Sequence, residues 1–296
     1  MADVQAHTAR LIALFVSCVL YGMLLTTFVP CIHSLLFSAS QRFRLKPCSD
    51  IKFPILIATI LMFLVATFSA VISMQNIIDA FIHYSGPGGA LEYYRVHNKG
   101  WKHWVVAIGD AVQVVVGDAL LIYRCYVIHD RNWRSIIMPA VSWIAMAALS
   151  VMSLYRELRL QGSQRLDDRD MMPLLASTLL LTFATSLITT YLIVRRLLKA
   201  EFRPDLRGRL PPHFLVRVGK IFFETGLFYT LSVVASLVVY LSASNLSYVA
   251  SLAIIHIIPL TCNLLLIRVE SINCRKQILP SHRKEEEFNP NTAEEV

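Results

Sequence analysis

With 296 residues, 55% of them hydrophobic and 16% charged, and a mean hydropathy of +0.55, the chain lies outside the range of soluble globular domains. Its net charge of +8 does not mark a nucleic-acid binder, because the basic residues cluster between apolar runs, where they orient a chain in a bilayer. None of the six cysteines sits where an extracellular disulfide would form.

The first ten residues, MADVQAHTAR, are polar and lack the short apolar core and small-residue cleavage site of a secretory signal. The first apolar run, Leu11 to Leu36, is therefore expected to stay as an anchor. It is followed by Pro54 to Met74, Trp104 to Tyr126, Ile136 to Tyr155, Met172 to Ile193, Ile221 to Leu241 and Tyr248 to Ile267. Each approaches the roughly twenty residues that cross a ~30 Å hydrocarbon core. The expected fold class is all-α: a polytopic membrane protein with a seven-transmembrane-helix bundle over residues 1–270 and a cytoplasmic, disordered tail over 271–296.

With the N-terminus outside and the C-terminus cytoplasmic, the inner segments carry 20 of the 28 basic residues and the outer segments 8, the bias the positive-inside rule requires. Charge alone does not separate seven spans from six, because omitting the third run and reversing the N-terminus again gives 20 against 8. Periodicity decides. At about 100° per residue, Val105, Ile108, Val112, Val115, Ala119 and Ile122 share one sector, and Gly109, Asp110, Gln113, Gly117 and Asp118 occupy the opposite half. The third run therefore reads as a spanning helix with one lipid face, bounded outside by Trp101 and Trp104.

The segments GDALLIYRCYVI, RNW and IIMP around the inner end of the third span, with YLSASNLSYV and LLLIRV around the last two, resemble a family of uncharacterised seven-span membrane proteins of basidiomycete fungi. That resemblance covers most of the chain and implies a fold but no activity. The orientation is also similar to that of G-protein-coupled receptors, a likeness at the level of fold. Arg124 stands where those receptors keep an Arg, flanked here by Tyr123 and Cys125 rather than by an acid and a Tyr. The last span holds Pro259 and Asn263 but no Asn-Pro pair.

Ionisable groups inside a bilayer are costly, so Asp110, Asp118, Glu224 and His256 stand out. At 1.5 Å per residue, Asp110 lies about 9 Å below Trp104 and His256 about 12 Å below Tyr248, whereas Asp118 and Asn263 lie about 21 and 22 Å down. Asp110, Gln113, Asp118, His256 and Asn263 are the candidate ligand site or polar core. Asp110 beside His256 would suit a ligand or a proton. The alternative for that pair is interhelical hydrogen bonding that only fixes packing. Arg124 and Glu224, both near the inner boundary, are candidates for a cytoplasmic latch, the alternative being that both side chains snorkel to the inner headgroups. Cys48, Cys125 and Cys274 are juxtamembrane palmitoylation candidates.

An enzyme is not expected. Asp110 and Asp118 share one helix, about 12 Å and 80° apart, and cannot face each other as an aspartyl-protease dyad. No span holds two His residues at helical spacing for a metal. No span holds a Lys for a retinal Schiff base, so no cofactor is expected. The leading expectation is a multi-pass, receptor-like signalling protein in the plasma membrane rather than an internal membrane. It would take an extracellular ligand and present residues 194–220 to a cytoplasmic signalling protein. A secondary transporter or proton-coupled carrier using Asp110, Asp118 and Glu224 is the alternative.

Overall fold

The computed structural model describes residues 6–37, 53–87, 89, 92–93, 100–129, 131–160, 168–201, 214–242 and 246–288. Seven helices account for nearly all of them: α1 (Ala6–Leu36), α2 (Phe53–Ile78), α3 (Trp101–Ile128), α4 (Ile137–Leu160), α5 (Asp168–Glu201), α6 (Phe214–Leu241) and α7 (Ser247–Phe288). Each contains a stretch long and apolar enough to cross a membrane. In a bilayer every backbone N–H and C=O must be satisfied inside the protein, and a helix does this within one segment. The chain is a multi-pass integral membrane protein.

Hydroxyl side chains obey the same constraint. Thr59, Thr182, Thr185 and Thr189 each donate to the carbonyl four residues back, at 2.7–3.0 Å. A polar residue in these helices is thus hidden in its own backbone. Where a hydroxyl reaches a neighbouring helix it joins the two, as Ser142 does with Thr185 at 2.8 Å and Ser186 with Thr230 at 3.1 Å.

Neighbours in sequence pack as neighbours in space, and α7 closes the ring against α1 and α6. The third helix is drawn inward and touches α2, α4, α5 and α7. Its position explains a departure from the expected lipid face. Only Ile108 of the apolar sector is exposed; Val105, Val112, Val115, Ala119 and Ile122 are half-buried. Part of that face is covered by α4, whose Trp143 Nε1–H donates to the Val115 carbonyl at 3.0 Å. The opposite, polar half is buried as the periodicity requires, with Gly109, Gln113, Gly117 and Asp118 all inside.

Two glycines permit this crowding. A Cβ on Gly109 would stand 3.0 Å from the Ser69 hydroxyl on α2, and one on Gly117 would stand 2.6 Å from Ile258 Cγ2 on α7. Below them, Leu120, Tyr229, Val233, Ile258 and Cys262 form part of an apolar core joining α3, α6 and α7 to α1 and α2. A second core, with Cys125, Ile193, Phe222 and Leu265, closes the end at which α1 finishes.

The last helix continues to Phe288, into the 271–296 segment for which composition suggested a disordered tail. Once a helix is nucleated each added residue gains a hydrogen bond, and Lys, Arg and Glu are good helix formers, so nothing in that segment's charge forces the helix to stop.

Candidate functional site

At the end of the bundle where α1 begins, here called the upper end, the helices part around a cavity of about 390 Å³. That volume falls in the range of small-molecule pockets. Its walls are largely apolar, with Val106 and Val114 on α3, Leu179 on α5 and Ile254 on α7. Asp110 forms part of the same wall. One carboxylate oxygen, Oδ2, accepts a hydrogen bond from the Ser251 hydroxyl of α7 at 3.3 Å. The other, Oδ1, is buried and has no hydrogen-bond partner.

The cations at the rim are already engaged. Lys102, two turns above Asp110 on α3, binds Asp79. Asp79 also accepts from His83 Nδ1 at 3.0 Å, across a π-helical turn, Asp79–His83, that ends α2. Such wide turns re-aim side chains inside an otherwise regular helix. Also at the rim, the Arg10 guanidinium lies 4.4 Å from the centroid of the Tyr248 ring, within cation–π range.

Gln113, one turn below Asp110, is wholly buried and lies outside the cavity. Its Nε2 donates to the carbonyls of Met62 and Ile255, both at 2.9 Å, and so ties α3 to α2 and α7. Deeper still, Asp118 Oδ1 accepts from the Tyr229 hydroxyl of α6 at 3.2 Å, while its Oδ2 and both amide atoms of Asn263 are buried without a hydrogen-bond partner. A small void of about 20 Å³ lies at this depth between Gly117, Gly226 and Ile258, and it shares no lining residue with the upper cavity.

The expected Asp110–His256 contact is absent. His256 is wholly buried, donates from Nδ1 to the Leu252 carbonyl at 2.8 Å, and meets the Tyr21 ring of α1 edge-on at 6.0 Å. Both depth and direction differ from the expected ones, since the Asp110 contact on α7 lies about 7.5 Å along the axis from His256. Ser251, the residue that does meet Asp110, is five positions earlier and therefore about 140° away around α7.

The Arg124–Glu224 latch is likewise not formed. Arg124 is 7% exposed, and its Nη1 and Nη2 are buried without hydrogen-bond partners. Glu224 is half-exposed and pairs with Arg268 Nη1 of α7 at 3.2 Å, with Lys220 Nζ at 3.9 Å. The reason is again direction: Arg124 turns into the bundle, and Glu224 lies on a face of α6 that reaches Arg268, near the end of the apolar span of α7. Exposed pairs contribute little, so a double-mutant cycle of Glu224→Ala and Arg268→Ala in thermal unfolding should give a coupling of at most about 1 kcal/mol.

Of the palmitoylation candidates, Cys125 is fully buried, its Sγ 3.7 Å from His129 Nδ1, and offers no acceptor at the surface. Cys48 and the side chain of Cys274 lie outside the described residues. Among the described residues no group of three or more His, Cys, Asp or Glu side chains converges on a common point.

Several contacts at the site were not anticipated from sequence: Ser251 on Asp110, Tyr229 on Asp118, Arg268 on Glu224 and Lys102 on Asp79. The chain matches no protein-family model, no curated protein and no solved structure. Fold and site together define a seven-helix integral membrane protein with a cavity at one end of its bundle.

Proposed function

We propose that the chain is a receptor-like signalling protein that takes a ligand in the upper cavity and presents the opposite end of the bundle to a cytoplasmic partner. The observation that supports this most is the cavity itself, with Asp110 in its wall and a packed layer beneath it. A ligand held there touches α3, α5, α6 and α7 at once, so its binding energy can bias how those helices sit against one another. Membership of the basidiomycete seven-span family and residence in the plasma membrane belong to the same proposal.

In this proposal the upper end faces outside. Glycosylation acceptors inserted singly in residues 75 to 103 and 156 to 171 should then be modified, and acceptors in 194 to 220 should not. Modification within 194 to 220 overturns the orientation.

Residues 202–213, the middle of the proposed partner surface, lie outside the described residues. Reception is tested by a proximity-labelling enzyme inserted there, in cells exposed in turn to a cationic, a neutral and an anionic small aromatic compound. A change in the labelled cytoplasmic proteins with any one of them is the expected result. An unchanged set, with uptake of one of the compounds into cells, would support the carrier instead.

A further inference from the structure

A carboxylate inside a membrane span is tolerated when it is paired or hydrogen-bonded. Asp110 is held on one oxygen only, and by a neutral hydroxyl. Among the described residues no basic side chain forms an ion pair with it. Lys102 lies eight residues along α3, about 12 Å away, and is held by Asp79. Arg10 lies over Tyr248. Lys102 thus has a carboxylate of its own, Arg10 lies over a ring, and Asp110 is, among the described residues, the one acidic side chain in the cavity wall.

The chemistry of a fitting occupant follows from these contacts. An N–H donor on a cation would give the Asp110 carboxylate a counter-charge, in a charge-assisted bond stronger than a neutral one. An apolar body would lie along Val106, Val114, Leu179 and Ile254. An anion would be repelled by the Asp110 carboxylate. A neutral alcohol would leave the charge without a counter-ion.

Resting on the ligand-binding proposal above, we infer that the upper cavity is a site for a small organic cation, an ammonium or guanidinium on an apolar body, with its charged head against the Asp110 carboxylate. The Ser251 hydroxyl, on Oδ2, is a positioning group that fixes the carboxylate's direction. Asp110→Asn keeps the shape and an acceptor for Ser251 but removes the charge.

The probes are phenethylguanidine and phenethylamine, the neutral phenylethanol and the anionic phenylpropanoate, added to the purified full chain in nanodiscs. Binding is read from ligand-dependent shifts in unfolding temperature and from equilibrium competition. The two cations should bind and the other two should not. Asp110→Asn should weaken the cations at least about thirty-fold while leaving the ligand-free unfolding temperature near that of the wild type. Asp110→Glu should restore part of the loss. If Asp110→Asn does not fold, Ser251→Ala serves in its place: cation binding should weaken only several-fold, with cation still preferred over alcohol. Equal binding of phenylethanol, cation binding that Asp110→Asn leaves unchanged, or no cation binding below about 1 mM each overturns the inference. A neutral or anionic compound that alters partner labelling would uphold reception and refute the cation site; cation binding lost in Asp110→Asn, with no labelling change from any compound, would do the reverse.

Discussion

Gly117→Leu should destabilise the bundle by about 3 kcal/mol, among the largest effects expected of a single substitution in this chain. Even a Cβ at this position would stand 2.6 Å from Ile258 Cγ2 of α7. Isoleucine is β-branched and has one strongly preferred rotamer in a helix, so its methyl cannot swing aside cheaply. The backbones of α3 and α7 would have to separate instead. That separation would also stretch the Gln113 bond to the Ile255 carbonyl, one turn away on each helix. Denaturant titration of the purified variant should show the loss, and unaltered stability would mean that α3 and α7 are not in this register.

Arg124→Met should have the opposite sign. A buried guanidinium with two nitrogens unpartnered bears the cost of desolvation without the return of an ion pair. Methionine has similar length, fills irregular gaps and carries no charge. Replacement of buried charged groups by well-packed apolar ones of similar volume stabilises some proteins by about 1–4 kcal/mol, and a gain in that range is expected here. Arg124→Ala should gain less, because it leaves a cavity. A lower unfolding temperature for Arg124→Met would show that the guanidinium has a partner which holds it in place.

The sequence made one level of this structure readable and hid another. Span positions follow from length and hydropathy, and the buried face of α3 follows from a repeat of about 100° per residue, so Gly109, Gln113, Gly117 and Asp118 were placed inside correctly. Depth along each helix followed from a constant rise. Rotation between helices did not, since it depends on which ridges pack into which grooves across the whole bundle. His256 and Asp110 therefore meet different partners, and Arg124 and Glu224 point in different directions. The inward position of α3 was also hidden, because a helix ringed by four others and one with a lipid face can carry the same apolar sector. Cys125 shows the limit plainly: a juxtamembrane position does not say which side of the helix the thiol occupies.

The most direct test of the account is the time course of radiolabelled phenethylguanidine associated with sealed vesicles that contain the chain, corrected for protein-free vesicles. The probe has a fixed charge and crosses lipid poorly on its own. A binding site predicts a plateau at no more than one probe per chain, reached quickly and lost in Asp110→Asn. Accumulation that continues past that stoichiometry, at a rate set by the ion gradient across the vesicle, would contradict a receptor and identify a carrier.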